Sequence, residues 1–244
     1  MNRPARLGDF KVLTFDCYGT LIDWETGLAT ALEPLLRAGG VKLARDAVLA
    51  EFARHEAAQE SATPSMRYAE LLAEVHRRLA RQWEVRLPEA AHAAFGRSVP
   101  EWPAFTDTPA ALDYLKRHYK LVILSNIDRM SFAGSLPRLG VGFDAVCTAE
   151  DVGSYKPDPR NFRYLIDTVA KLGFAPDEIL HTAQSLYHDH APAQAAGLSS
   201  AWIDRRGGRE GFGATMAPPG AARYDLRFPS LAAMASAHQA ERSG

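Results

Sequence analysis

The chain has 244 residues, of which 47% are hydrophobic and 23% are charged, and its formal net charge is −1. This composition is typical of a globular protein with one large domain, or with a core and a smaller insert. The charge gives no reason to expect nucleic acid or an acidic membrane surface as a partner. No apolar run reaches the roughly 18 residues that a membrane-spanning helix needs.

The N-terminus and the cysteines both bear on location. No apolar stretch follows the first six residues, so we expect no signal peptide. Cys17 and Cys147 lie in or beside predicted strands, and two thiols do not make a disulfide framework. We therefore expect buried, reduced thiols and a cytoplasmic protein.

Short apolar runs predict a series of strands, four of the first five in the second half of the chain. The predicted strands are Val12–Phe15, Leu121–Leu124, Ala145–Cys147, Ile179–Thr182, Ser200–Ile203 and a short last one at Asp225–Phe228. Helical segments at Pro109–Arg117 and Asn161–Leu172 alternate with them, and a Gly/Pro-rich loop is predicted at 205–222. This alternation predicts an α/β fold with a doubly wound parallel sheet.

The interval from about Thr26 to Gly96 contains no plausible strand and has helical spacing. Apolar residues fall on one face of a helix at Leu71, Leu72, Val75 and Leu79. We therefore predict an all-helical cap domain at residues 26–98, inserted into an α/β core of residues 1–25 and 99–244. Because the insert leaves the core just after the first strand, we expect it to cover the carboxyl edge of the sheet.

Four motifs in chain order carry a family resemblance. They are FDCYGTL at 15–21, LVILSN at 121–126, YKPDP at 155–159 and HTAQSLYHD at 181–189, each at or just beyond a predicted strand end. With this ordered set, the chain resembles the haloacid dehalogenase superfamily of hydrolases, and within it the type II L-2-haloacid dehalogenases. The resemblance implies a Rossmann-like core, a helical cap and a nucleophilic aspartate.

The resemblance implies the roles of four catalytic residues. Asp16 corresponds to the nucleophile, and Thr20 helps to orient it. Lys156 offsets the repulsion between Asp16 and an anionic substrate and keeps Asp16 ionised. Asp189 corresponds to the acid that activates the hydrolytic water or, in other relatives, holds Mg²⁺.

The resemblance also implies how a substrate is bound. Ser125 corresponds to the residue that binds the substrate carboxylate, and Asn126 to one that cradles the departing halide. An arginine of the cap grips the halide or the carboxylate in the family. Arg54 is our first candidate for it, and Arg67 is the second.

Departures from the family pattern affect both the chemistry and the substrate. Tyr18, which we expect to contact the substrate, replaces the second aspartate that phosphatases use to protonate a leaving alkoxide, so we expect dehalogenation without a metal. Gln184 and Leu186 occupy the positions of the serine and the asparagine in the family's Ser-x-Asn triplet. Phe162 occupies the position at which the family has a tyrosine. Gln184 retains an amide that can donate to a substrate carboxylate or to water.

The sequence therefore predicts a hydrolase of small 2-haloalkanoic acids that works through an aspartyl ester on Asp16, without cofactor. Its expected partner is a small anionic substrate, with neither nucleic acid nor membrane, and the resemblance suggests a homodimer. Two alternatives stay open at this point. One is a related hydrolase, such as a weak Mg²⁺-dependent phosphatase, and the other is a catalytically degenerate binding protein.

Overall fold

The computed structural model describes residues 5–218, 220–221 and 223–243. Its strands are β1 (Val12–Phe15), β2 (Lys120–Ser125), β3 (Ala145–Thr148), β4 (Ile179–Ala183), β5 (Ser199–Ile203) and β6 (Leu226–Phe228). They form one sheet in the order β3-β2-β1-β4-β5-β6, and every neighbouring pair is parallel. The predicted doubly wound parallel sheet is confirmed.

Helices lie between the strands up to β5, fill the interval after β1 and follow β6. They are α1 (Trp24–Ala38), α2 (Arg45–Ala62), α3 (Tyr68–Gln82), α4 (Glu89–Gly96), α5 (Thr108–Lys116), α6 (Arg129–Leu139), α7 (Ala149–Val152), α8 (Pro159–Lys171), α9 (Ala191–Ala195) and α10 (Leu231–Ser243). Short helical turns lie at Leu7–Asp9, Val99–Glu101, Pro176–Glu178 and Leu186–His190, the last with π-type spacing.

The predicted strands agree with the observed ones to within a residue at either end. The loop predicted at 205–222 has no helix or strand in its described residues, and positions 219 and 222 lie outside the described part of the chain. Both cysteines are buried and free. Within the described residues, no helix has the length and apolarity needed to cross a bilayer.

Helices α1 to α4 follow β1 without an intervening strand, as the prediction of a helical insert requires. The predicted apolar face of α3 is buried in a hydrophobic cluster that also contains Leu13 of β1 and Ile123 of β2. Gly27 of α1 is required at a close approach, since a Cβ atom there would lie 2.2 Å from Cγ of Trp102. The domain limits at 26 and 98 stay a prediction.

The order of the strands explains where a site can form. The chain adds β2 and then β3 on one side of β1, and it then crosses from β3 to β4 on the other side of β1. Ligands of open α/β sheets bind at the carboxyl ends of the strands next to such a reversal. Asp16 directly follows β1, Ser125 ends β2, and Asp189 lies in the turn after β4.

Candidate active site

Asp16 is held in one orientation at the end of β1. Only 6% of the residue is exposed, and its backbone N–H donates to the carbonyl of Thr182 on β4 (3.1 Å). The hydroxyl of Thr20 donates to Oδ2 of Asp16 (2.7 Å) and accepts the backbone N–H of Gln184 (2.9 Å). Because that N–H occupies the Thr20 oxygen, the hydroxyl hydrogen is directed at the carboxylate.

Lys156 joins Asp16 to the second acid of the site. Its side chain is 1% exposed, and Nζ donates to Oδ1 of Asp16 (3.0 Å) and to Oδ1 of Asp189 (2.6 Å). The third hydrogen bond goes to the carbonyl of Leu124 at 3.1 Å. An ammonium has three hydrogens, so Lys156 is fully used by the protein itself.

Burial and charge act in opposite directions on these three groups. Burial raises the pKa of Asp16, which Asp189 raises further, and Lys156 offsets only part of this increase. Burial also raises the pKa of Asp189, but Lys156 and His181 outweigh it and hold that pKa below its ordinary value. The pKa of Lys156 is raised because its two carboxylate neighbours outweigh the effect of burial. Asp189 is therefore the firmly ionised acid, and Asp16 is the more readily protonated one.

His181 on β4 fixes the Asp189 carboxylate. Its Nε2 donates to Oδ1 of Asp189 (2.9 Å), and its Nδ1 hydrogen-bonds the hydroxyl of Thr14 (2.8 Å). Phe162 packs edge-on against the imidazole, with ring centroids 5.0 Å apart. Phe162 therefore lies in the hydrophobic core and does not line the pocket. Oδ2 of Asp189 is buried without a hydrogen-bond partner among the described residues.

A pocket lies over these groups, between the sheet edge and the cap helices. The residues that line it are Asp16, Tyr18, Trp24, Glu56, Glu60, Tyr68, Ser125, Asn126, Lys156, Gln184, Ser185, His188, Asp189 and Thr215. The structure thus brings together Asp16, Lys156 and Asp189 with the predicted binding residues Tyr18, Ser125, Asn126 and Gln184. Thr20 lies directly beneath, bonded to Asp16.

Tyr18 and Ser125 differ in the polar groups that they leave free. The Tyr18 hydroxyl is 2.8 Å from Oγ of Ser135, and its ring packs edge-on against Trp102. Tyr18 therefore places no carboxylate beside Asp16. Oγ of Ser125 is buried and finds no hydrogen-bond partner among the described residues, so it is free to donate to a bound molecule.

Asn126 does not have the free amide expected of a halide-binding residue. Its Nδ2 donates to Oε1 of Glu60 (3.1 Å) and to the carbonyl of Lys156 (3.0 Å). Its Oδ1 accepts the backbone N–H of Lys156 (2.7 Å). Both amide hydrogens are used, so Asn126 links the lysine loop to the cap instead of offering a donor to a leaving halide.

The prediction that Arg54 reaches the site is wrong. Its guanidinium is on the outer side of α2, where Nη2 donates to Glu51 (2.7 Å) and to Gln82 (2.8 Å), and 56% of its side chain is exposed. Arg67 is also exposed and pairs with Glu150. No arginine is among the described residues that line the pocket.

The cap contributes carboxyl groups where an arginine was expected. Glu56 and Glu60, one turn apart on α2, are buried and line the pocket. The hydroxyl of Tyr68 donates to Oε1 of Glu56 at 2.6 Å. Burial raises the pKa of Glu56 to about 8, and burial together with the neighbouring Glu56 raises the pKa of Glu60 well above its ordinary range. The i, i+4 spacing in an alanine-rich helix is the one sequence signal for this pair.

The turn after β4 also supplies His188. Burial lowers its pKa to about 4, its Nδ1 is 3.2 Å from Oγ of Ser185, and its Nε2 has no hydrogen-bond partner among the described residues. His190 of the same turn does not line the pocket and instead bonds Ser200 and the carbonyl of Ala183. Leu186 does not line the pocket, so the departure from the family pattern at that position lies outside the site.

The aspartates at which a magnesium ion would bind already have a cation between them. The two aspartates that would hold the magnesium ion share the ammonium of Lys156, which already occupies the bridging position between their Oδ1 atoms. Within the described chain, no cluster of three or more His, Cys, Asp or Glu side chains is arranged to bind a metal.

A parallel sheet with a buried Asp-Lys-Asp group at its carboxyl edge, covered by an inserted set of helices, defines a hydrolase core of the haloacid dehalogenase type. The sequence model of haloacid dehalogenase-like hydrolases matches residues 10–197, and the chain belongs to this family.

Two curated relatives match part of the chain. The mouse haloacid dehalogenase-like hydrolase domain-containing protein 3 is 38% identical over 35% of the chain and 33% of its own length. The phosphoserine phosphatase of Thermus thermophilus is 30% identical over 46% of the chain and 45% of its own length. The matches thus cover less than half of either relative.

A solved structure matches nearly the whole chain. The L-2-haloacid dehalogenase of Xanthobacter autotrophicus, with chloropropionic acid covalently bound, has a TM-score of 0.75 and is 18% identical. The match covers 93% of this chain and 97% of that one. At this identity the likeness establishes the shared fold.

Proposed function

We propose that this protein hydrolyses carbon–halide bonds of small organic molecules through an ester on Asp16, without a metal. One observation carries the proposal: a buried, oriented Asp16 carboxylate lies beside Lys156, and Tyr18 occupies the position of the aspartate that would protonate a leaving alkoxide. A halide leaves without needing a proton, so a site with tyrosine at that position is suited to it.

In the first step, an oxygen of Asp16 attacks the carbon that carries the halogen. The C–O bond forms as the C–X bond breaks, and the halide leaves with the bonding electron pair. Attack from the side opposite the halogen inverts the configuration of that carbon. Positioning of this kind contributes roughly 7–11 kcal/mol to catalysis in well-oriented systems. Desolvation in the buried site removes the water shell that makes a carboxylate a weak nucleophile.

In the second step, water cleaves the ester at Cγ of Asp16, which releases an alcohol and a proton and restores the carboxylate. Oδ2 of Asp189 has no partner, so it is available to accept a hydrogen bond from that water. Lys156 contacts both acids and places positive charge beside the ester as negative charge develops on it.

The 2-haloalkanoic acids are the reference substrates for this reaction, since the fold is that of a 2-haloacid dehalogenase. The halogen-bearing carbon meets Asp16, and the Ser125 hydroxyl is a donor for the substrate carboxylate. Chloride or fluoride release from 2-chloropropionate enantiomers, chloroacetate and fluoroacetate in EDTA tests the activity. Asp16→Asn must abolish release.

An isotope experiment tests the ester itself. In a single turnover in ¹⁸O-water, the proposed route places ¹⁸O in the Asp16 carboxyl group and leaves the product alcohol unlabelled. Direct attack of water on the substrate carbon would label the alcohol instead, and that result would overturn the mechanism.

A phosphatase is the second candidate, favoured by the match to a phosphoserine phosphatase. Phosphate release that requires added Mg²⁺, together with an acid-labile phosphoryl group on Asp16, would establish it. Tyr18 and the engagement of Lys156 with both aspartates oppose this chemistry. The homodimer and the cytoplasmic location stay predictions.

A further inference from the structure

The charge of the pocket differs from what an anionic substrate needs. Four carboxyl groups line it, those of Asp16, Asp189, Glu56 and Glu60. Among the described residues that line it, Lys156 carries the one ammonium, and all of its hydrogens are engaged within the protein. Within this described lining, a substrate carboxylate would find no free cationic donor.

The cap carboxyls have acceptor positions that the protein does not use. Oε1 of Glu56 accepts the Tyr68 hydroxyl, and Oε1 of Glu60 accepts the Asn126 amide. No hydrogen bond is formed by Oε2 of either residue within the described chain, and the nearest basic atom to Oε2 of Glu60 is Nε2 of His188 at 3.8 Å. Buried carboxyls are normally paired with a cation.

The pKa values of the pair are consistent with a missing counter-ion. Burial raises the pKa of Glu56 to about 8 and that of Glu60 well above its ordinary range, and at Glu60 the Asn126 amide and the charge of Lys156 offset only part of the increase. An ammonium group that enters the pocket would supply that charge and displace a proton. The aromatic rings of Trp24 and Tyr68 also line the pocket and provide the π surfaces that favour a cation.

We propose that Glu56 and Glu60 select a substrate that carries a protonated amine, so that the protein acts on a small haloalkylamine in preference to a haloacid. This inference rests on the proposed carbon–halide hydrolysis for its chemistry, and on the cap carboxyls for the substrate class. The reaction is the one given above: Asp16 displaces the halide, water cleaves the ester, and the product is an amino alcohol.

A matched substrate pair tests the preference. The compounds are 3-chloropropylamine and 3-chloropropionate, which have the same carbon chain and leaving group but opposite charges. We expect kcat/KM for the amine to exceed that for the acid by about 10- to 100-fold, the range expected for a charged hydrogen bond. Equal values, or a preference for the acid, would overturn the inference.

Variants of the cap assign the preference to its residues. Glu60→Gln and Glu56→Gln keep the shape of the side chains and remove their ability to become anions. Each should raise KM for the amine by about tenfold or more. The control is Glu51→Gln on the same helix, because Glu51 is outside the pocket and pairs with Arg54. A preference that survives in the Glu56→Gln/Glu60→Gln double variant would contradict the proposal.

A binding measurement separates this inference from the proposed reaction. Binding of n-propylammonium and of propionate is measured by ligand-observed NMR on the wild-type protein and on Asp16→Asn. Selective ammonium binding that Glu60→Gln abolishes, with no halide released from any compound, would support the site and refute the reaction. Turnover of both chlorinated compounds without ammonium selectivity would support the reaction and refute the site.

Discussion

Replacement of Glu56 by Gln should change how the stability of the protein depends on pH. Glu56 is 4% exposed, and its pKa is raised by burial from its ordinary value of 4.5 to about 8. Between these values the unfolded chain loses the proton while the folded protein keeps it. Folding stability therefore falls as pH rises through this window.

The size of the effect follows from the two pKa values. At about 1.36 kcal/mol per pH unit, the ionisation of Glu56 in the unfolded chain costs wild type roughly 2.5 kcal/mol between pH 5.5 and 7.5. Glutamine keeps an acceptor for the Tyr68 hydroxyl but cannot ionise. Glu56 also raises the pKa of Glu60, so the pH dependence from Glu60 is smaller in the variant and changes the difference in the same direction as the loss of Glu56 itself.

Urea unfolding of wild type and Glu56→Gln at pH 5.5 and 7.5, followed by tryptophan fluorescence, measures the difference. Between pH 5.5 and 7.5, the free energy of unfolding should decrease less in the variant than in wild type. The two decreases should differ by about 2 kcal/mol or more. Glu51→Gln is the matched control, since Glu51 is on the same helix and the hydrogen bond from Arg54 lowers its pKa. Parallel pH dependence in wild type and Glu56→Gln would refute the reasoning.

Three further outcomes can be checked on the same preparations. Lys156→Met leaves two buried carboxylates without their cation, so we expect a loss of about 3–5 kcal/mol in urea unfolding and a loss of turnover of about 100- to 1,000-fold, roughly the effect of removing a charge-stabilising donor. A retained activity would contradict the role of the ammonium. Since burial raises the pKa of Asp16 and only its ionised form attacks, kcat/KM should fall as the pH is lowered, with a midpoint above 3.8; a midpoint at or below 3.8 would contradict this. Gly27→Ala places a Cβ atom against the Trp102 ring and should cost about 1–3 kcal/mol of stability, whereas Gly8→Ala, whose nearest neighbour would be 3.6 Å away, is the tolerated control.

The sequence was sufficient for the core of the site because strand ends locate residues without reference to the rest of the fold. Asp16 and Ser125 directly follow or end buried apolar runs, and parallel strands bring their carboxyl ends to one edge. Thr20 lies within the same turn as Asp16, so its position was also a local property. Lys156 was assigned to the site from its YKPDP motif at 155–159.

The cap residues could not be placed because the rotation of a helix about its axis is set by what it packs against. Arg54 and Glu56 are two positions apart on α2, which separates them by about 200° around the helix. When one of them faces the pocket, the other faces solvent. The alanine-rich α2 has polar residues on both faces, so its pattern did not show which face is buried. The glutamates at the pocket were missed for the same reason.

Asn126 links Glu60, which we propose selects the substrate, to the loop that positions the catalytic Lys156. Its Nδ2 donates one hydrogen bond to Glu60 of the cap and a second to the carbonyl of Lys156. Its Oδ1 accepts the backbone N–H of Lys156. A change at Glu60 is therefore transmitted to the loop that aims the ammonium at both aspartates. Glu56, which is anchored by Tyr68 instead, has no such link in its hydrogen bonds. Redesign of specificity can begin at Glu56 with turnover preserved, whereas at Glu60 selectivity and rate will change together.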